Sequence, residues 1–596
     1  MRKFFILFLC LTSSGVFGQS QTNERAKWFT DARYGMFIHW GVYSGAEGYW
    51  KGEKLRNDND YAEWLFYRNQ IGREEYLTLL ERFDWDAIDP EQWVILAKKA
   101  GMKYVTLTAK HHDGFALWDS KVGNYDVGDY TAHRRDIVKE LAAACKKHGL
   151  RMGLYYSHWV DWEHRFGWNH ERELSGIAPK DYDKYWQEKV IPQIRELLTN
   201  YGEVSMLWFD MWIHHSQTVV TKAQLLQLKS LIRSLQPDCL VNSRLGLSIE
   251  EDPDIDFKTL GDNQLGSHKE EFPWQSPGTV AHSWGFHSGE SSWKATSVLL
   301  KSLIGNVSLN GNFMLNIGPR ANGEVPYEIE HRLLEIGQWL DVNGDAIYGA
   351  AAFDLDKNLH DWGKITMKQA DGTTRLFLHL YNWPLNRQLP LTGITTPPTR
   401  VYLLADKQKQ PLEFTHGGAF TNIRLPAMAP SHYVSVIAVE YEQIPETVQN
   451  IVAKTTDGGY SMTYDKTVGE RTLKQNGRNR EGTVPPHVSI KSPQTLKWRL
   501  YVDAPGNKNI DVSYSFAGDK AVGKITCRTV NTTLSHTIEP SGQTVGEPNQ
   551  NWAIPRFLSH RMGKIRFPDA GYYDVELEIA PVDNSELLFQ WLWLGQ

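Results

Sequence analysis

The chain has 596 residues, of which 41% are hydrophobic and 22% charged, with a formal net charge of −6. That length exceeds what one hydrophobic core organises, so about two to four domains are expected, and a mildly acidic chain with no basic stripe argues against nucleic acid as a partner. It carries 23 Trp beside 26 Tyr and 23 Phe, aromatic surface that serves large cores and also sugar-binding clefts, where flat rings lie against the C–H faces of pyranoses.

Residues 1–18 read as a signal peptide. Arg2 and Lys3 precede an apolar run from Phe4 to Leu11, small residues follow, and Val16-Phe17-Gly18 offers a cleavage site before Gln19. A secreted or periplasmic protein is expected. Cys10 lacks the small residues that precede a lipoprotein cysteine, and no later stretch has the length and apolarity of a membrane span. Cys145, Cys239 and Cys527 are too widely spaced for a disulfide framework or a zinc motif, and read as buried fillers.

From Ala32 to about Tyr348 short apolar runs alternate with helical stripes. Arg33 to Trp40 is a strand candidate. Asp89-Pro90 opens a helix with Trp93, Leu96, Ala97 and Ala100 on one face, stopped by Gly101, and Lys103 to Ala109 follows as a buried strand. Arg135 to His148 is a helix ended by Gly149, and Arg151 to Ser157 a strand. Val190, Ile194, Leu197, Leu198 and Tyr201 share a helical face before Gly202, and Val204 to Asp210 is the next strand. Leu225, Leu228, Ile232 and Leu235 form a stripe ended by Pro237, and Cys239 to Arg244 is again strand-like.

More than six such repeats, with no Gly-x-Gly-x-x-Gly opening a helix, predict a (β/α)8-like barrel over residues 19–348. Polar residues gather at the ends of the predicted strands, at His39, His111-His112, Tyr155 to His158, Asp210, Asn242 to Arg244 and Asn316, as a pocket on one face of a barrel requires. Beyond Gly349 the texture becomes all-β. Leu376 to Tyr381, Arg400 to Leu404 and Tyr433 to Tyr441 suggest a β-sandwich over 349–442. Ile510 to Phe516, Lys524 to Val530, Tyr572 to Ile579 and Leu587 to Leu594 suggest a further all-β domain over 443–596, either packing against the barrel or binding carbohydrate.

Asp210 stands between Trp208-Phe209 and Met211-Trp212, and a carboxylate among large apolar residues is costly to bury unless paired or used. Glycosidases need such a group as nucleophile, beside a protonated acid for the leaving oxygen. In His111-His112-Asp113, neighbouring side chains on a strand point to opposite faces, so at most one His faces the pocket unless the strand has ended or bulged. A metal on these histidines with His39 and Asp210 is the alternative, but the usual ligand spacings are absent, so no metal and no cofactor are expected. Glu63-Trp64 pairs a hydroxyl acceptor with an apolar face, though a surface helix gives the same pattern.

Taken together, Trp28 to Gly41, Lys110 to Trp118, Arg135 to Val138, Gly153 to Ser157, Leu207 to Asp210, Asn312 to Arg320 and Asn343 to Tyr348 resemble glycoside hydrolase family twenty-nine, the α-L-fucosidases, over roughly residues 26 to 350. The resemblance implies retaining hydrolysis of terminal α-L-fucosyl groups from a fucosylated oligosaccharide or glycoconjugate. It implies Asp210 as nucleophile and His39, Glu63, Trp64, His111, His112, Tyr155, Trp208 and Arg244 as fucose contacts. The acid/base is where the chain departs from its relatives. Gln264 and Gln275 stand where members often carry Glu, and an amide cannot exchange the proton. Asp262 is the nearest carboxylate by placement, with Glu270 or Glu271 as alternatives. Three other readings follow: a fucose- or L-sugar-binding protein on a degenerate scaffold, an α-L-galactosidase, and a metal hydrolase using His39 and the histidine pair.

Overall fold

The computed structural model describes residues 24–55, 61–131, 134–168, 178–355, 360–370, 372–476, 484–545, 554–582 and 585–595. The predicted signal peptide, 1–18, lies outside them. Among the described residues no helix is long and apolar enough to cross a membrane. The chain forms two compact units, Met1–Asp354 and Leu355–Gln596.

The first unit is built on eight parallel strands: β1 (Tyr34–Ile38), β2 (Tyr104–Lys110), β3 (Arg151–Tyr156), β4 (Met206–Phe209), β5 (Leu240–Val241), β6 (Lys258–Thr259), β7 (Trp274–Thr279) and β8 (Gly311–Ile317). They pair in the order β5-β4-β3-β2-β1-β8-β7-β6. The two ends also meet. Asn242 bridges Phe257, Asp256 N donates to Val241 O at 3.0 Å and Ser243 N to Phe257 O at 2.9 Å. Neighbours in the ring are therefore neighbours in sequence, as in a (β/α)8 barrel.

Among the described residues, six helices of ten residues or more clothe it: α1 (Pro90–Lys99), α2 (Ile137–His148), α3 (Ile191–Asn200), α4 (Lys222–Leu235), α5 (Thr296–Val307) and α6 (Tyr327–Asn343). Their ends follow local chemistry. Asp89 accepts from Glu91 N and Pro90 takes the first turn of α1, where its missing N–H costs nothing. Asp136 caps α2, and Gly149, at φ 73°, ends it. Thr221 and Gln224 form a reciprocal capping box on α4. The repeat count predicted from the sequence exceeds the regular units found. No α-helix joins β5 to β6 or β6 to β7, and these short strands hand over directly to loops.

Side chains, not space, fill the barrel. Phe37, Tyr104, Tyr155, Trp208, Trp284 and Met314 belong to one buried cluster. Gly35 admits the Tyr104 ring, since a Cβ there would lie 2.1 Å from it. Tyr104 donates to Asn312 Oδ1 at 2.7 Å and accepts from Gln275 Nε2 at 2.9 Å.

The second unit is all-β. Thr373–Leu380 lies between Gly363–Ala370 and Ser435–Tyr441, and Arg400–Leu403 extends that sheet. Gln388–Thr392, Phe420–Arg424 and Phe414–Gly417 form another. Two further sheets enclose a core that includes Trp498, Tyr514, Leu577 and Phe589. The four strands predicted there appear as Gly506–Ser515, Lys524–Thr529, Gly571–Ala580 and Leu587–Gly595. The three described cysteines are free and buried.

Candidate active site

The C-terminal ends of the barrel strands open on a cavity of about 390 Å³, within the range of small-ligand sites. Every residue that lines it lies between positions 37 and 284. His39 follows β1, His111 and His112 follow β2, and Tyr155 and Trp208 sit near the ends of β3 and β4. Asp210 immediately follows β4, Arg244 follows β5 and Asp262 follows β6. Glu63 and Trp64 arrive from the long β1–α1 connection.

Asp210 is held from several sides. Asn242 clamps the end of β4, accepting from Phe209 N at 2.9 Å and donating to Phe209 O at 3.0 Å. The Trp159 indole donates to Asp210 O at 2.7 Å. On the carboxylate, Oδ1 accepts from Arg244 Nη1 at 2.7 Å, and Oδ2 accepts from Tyr155 Oη at 3.1 Å with His112 Nε2 3.5 Å away. Burial alone would push its pKa up, but His112 and Arg244 outweigh burial and hold it well below the usual carboxylate range.

Arg244 spans two carboxylates. Its Nη2 donates to Asp262 Oδ1 at 2.7 Å and to Leu260 O at 2.6 Å. Burial pulls the guanidinium down, and the charges of Asp262 and Asp210 raise it above its ordinary value. Asp262 therefore lies within one guanidinium's width of Asp210, on the rim. Gln264 does not face the cavity: its Oε1 accepts from Gly261 N at 3.0 Å and braces the turn that presents Asp262. Gln275 is inside the barrel, accepting from Trp208 Nε1 at 2.8 Å. Glu270 pairs with Lys258 at 3.1 Å and with His268 at 3.4 Å, and neither it nor Glu271 lines the cavity. Of the three carboxylates weighed as acid/base, the fold brings only Asp262 to Asp210.

Both histidines of the pair face the cavity, because β2 has ended at Lys110 and a turn with Gly114 at φ 79° follows. His111 stacks on Tyr155, centroids 5.5 Å apart, and its Nδ1 is buried without a protein hydrogen bond. Burial, then His112 and His39, push its pKa well down. His112 Nδ1 meets Ser157 Oγ at 2.7 Å, and that hydroxyl donates to Val160 O, so the imidazole is the donor. His39 Nδ1 meets Asn316 Oδ1 at 2.7 Å. Because the Asn316 amide nitrogen donates to Trp284 O, His39 must donate through Nδ1 and keep Nε2 as an acceptor. Burial lowers its pKa to about 3, so it stays neutral.

Glu63 is buried rather than on a surface helix. Its Oε2 accepts from Gly285 N at 2.9 Å, and burial raises its pKa to about 7. Trp64 joins an aromatic wall with Trp162 and Trp212, centroids 5.2 and 6.3 Å away.

The polar strand ends divide by task. Lys110 pairs with buried Asp161 at 3.1 Å, His158 bonds Leu245 O, and Asn242 serves β4, so these support the wall rather than line it. Trp284 and Trp212 line the cavity although no sequence pattern marked Trp284, and the motif around Asp210 placed Trp212 there only as a neighbour. The result is an ionised carboxylate, a second carboxylate beside it, the neutral imidazoles of His39 and His111, and aromatic faces. That set can bind a ring that is hydroxylated on its edge and apolar on its face, and can attack a carbon within it.

Residues 17–345 match the family model described as Alpha-L-fucosidase. The chain is 30% identical over 469 residues to an alpha-L-fucosidase of Dictyostelium discoideum, covering 73% of this chain and 97% of that one. Among solved structures it is similar to an alpha-L-fucosidase from Vibrio sp. strain EJY3, with a TM-score of 0.73 and 26% identity over 96% of this chain and 98% of that one. It is also similar to a family twenty-nine alpha-L-fucosidase of Bacteroides thetaiotaomicron, a trapped covalent intermediate with 2-fluoro-fucosyl fluoride. The TM-score there is 0.62 and the identity 25%, covering 71% of this chain and 97% of that one.

Proposed function

We propose that this chain, which belongs to the α-L-fucosidase family, removes terminal α-L-fucosyl groups from glycans with retention of configuration, using Asp210 as nucleophile and Asp262 as acid/base. The observation that carries the reading is one guanidinium, Arg244, bonded at 2.7 Å to both carboxylates at the mouth of a barrel. In the first step an Asp210 oxygen attacks the anomeric carbon while the glycosidic C–O bond breaks. Asp262, in its acid form, gives its proton to the departing oxygen. In the second, Asp262 takes a proton from water, which displaces Asp210 and restores the starting anomer. His112 and Arg244 keep Asp210 charged, and Tyr155 helps to aim it. His39 Nε2, His111, His112 and Glu63 are placed to take the sugar's hydroxyls, and Trp64, Trp208 and Tyr155 to bound its apolar side. The amino-terminal segment supports export, to a secreted or periplasmic location. The division of the all-β part near residue 442 belongs to the same proposal.

The test is chemical. Asp210→Gly should lower turnover of an aryl α-L-fucoside by several orders of magnitude with the fold intact, and a 2-fluoro-fucosyl donor should label Asp210 in the wild type by peptide mass spectrometry. Asp262→Ala should lose more on natural linkages than on the activated aryl substrate, with azide restoring the latter. Wild-type turnover by Asp210→Gly, or NMR showing the inverted sugar released first, overturns the assignment.

A further inference from the structure

Away from Asp210, two loops on the same face of the barrel bring together three side chains that the hydrolytic mechanism does not use. His214 and His215 lie in the β4–α4 connection, at a short 3-10 turn, and Glu251 lies in the segment after β5. Their ligand-type atoms all fall within 4.8 Å of one another, and among the described residues they are the group of three or more His, Cys, Asp or Glu side chains that converges in this way. The two imidazoles are 4.1 Å apart between centroids, and His214 Nε2 is 3.2 Å from Glu251 Oε1.

The hydrogen bond behind His215 suits ligation. His215 Nδ1 lies 3.1 Å from Gly246 O, which can only accept, so Nδ1 carries a proton and Nε2 is left with its lone pair. His214 Nδ1 lies 2.8 Å from Ser216 Oγ and accepts from Ser216 N at 3.4 Å, so without an ion its proton sits on Nε2 towards Glu251, and an ion bound at Nε2 takes that proton's place. A ring nitrogen fixed by an outer partner is the usual setting of a metal-bound histidine.

We infer that His214, His215 and Glu251 form a binding site for a borderline divalent transition ion, zinc(II) by its donor set, with a fourth position left for water. Two imidazoles and one carboxylate match zinc's preference, with bonds of about 2.0–2.2 Å. The side chains of His214 and Glu251 are exposed by 45% and 39%, which leaves their rotamers room to adjust around the ion. The ion joins the connection that carries Trp212, which lines the cavity, to the one that follows β5. It is separate from the nucleophile and from catalysis.

The experiment uses the full chain, free of any polyhistidine tag and stripped with chelator, titrated with cobalt(II) as a spectroscopic probe and with zinc(II) by calorimetry. One equivalent should bind in the micromolar range, with ligand-field absorption that zinc displaces and a zinc-dependent rise in thermal midpoint. His215→Ala and Glu251→Gln should each weaken binding by about tenfold or more, and both should abolish the stabilisation, while turnover of the metal-free proteins stays that of wild type. Absence of saturable binding into the millimolar range overturns the inference, as does binding unchanged in both variants.

Discussion

Asn316 shows how much of this site is decided one atom behind the cavity wall. Its amide fixes His39 as a neutral ring with Nε2 free to accept, and burial, holding the ring's pKa near 3, protects that state. Asn316→Asp sets a carboxylate against the same nitrogen and favours the imidazolium, which has no acceptor to offer. The expected outcome is an acidic limb in the kcat/KM profile on an aryl fucoside, with activity lost as pH falls toward neutrality. A profile unchanged from wild type would refute the role. Glu63 gives a second residue-scale expectation. Its pKa is raised from 4.5 to about 7, so the fold holds this proton more tightly than the unfolded chain does. The associated stability is fully present below about 4.5 and is lost as pH rises through about 7. Glu63→Gln keeps the acceptor for Gly285 N but cannot ionise, so it should gain about 1–3 kcal/mol relative to wild type between pH 4.5 and 8 in urea unfolding. Asp210, the histidines and Arg244 were legible because each follows an apolar strand. Gln275 was not, because sequence cannot say whether a strand residue faces the barrel's interior or its mouth.

At the scale of elements, strands and helices were read within a residue or two where the apolar period was long and a cap was present. α2 is the clearest case. Asp136 accepts from Lys139 N at 2.8 Å and from Tyr201 Oη at 2.8 Å, and buried Ile137, Leu141 and Cys145 fall at helical spacing. Asp136→Ala should cost about 1–2 kcal/mol in chemical denaturation, with Asp136→Asn recovering most of it; equal stability of all three proteins would remove the cap from the account. β5 and β6 were harder. Each is two residues long, and Lys258–Thr259 falls inside what reads as loop, because parallel pairing with β7 defines it rather than an apolar run of its own. That pairing is also what carries Asp262 to the rim.

At the scale of the whole molecule, the cavity is lined entirely from the first compact unit, while the second holds its own core around Trp498. Trp498 is fully buried and donates through Nε1 to Thr463 O at 2.8 Å. Trp498→Ala should destabilise that unit by about 3–5 kcal/mol and lower its thermal transition, while kcat per folded molecule on an aryl fucoside stays that of wild type at low temperature. A fall in kcat without loss of fold would show that this core matters to the site. The sequence by itself determined the barrel, the all-β texture after it and the carboxylate at the end of β4, since apolar periodicity, caps and strand-end polarity are local signals, while the family rested on the resemblance of short strings such as Leu207 to Asp210. Only the tertiary structure decided that both histidines of the pair face one cavity, that Gln264 and Gln275 are structural, and that Asp262 rather than Glu270 or Glu271 stands beside Asp210. Those are distances between residues far apart in the chain, and closure of the barrel through β5 and β6 sets them.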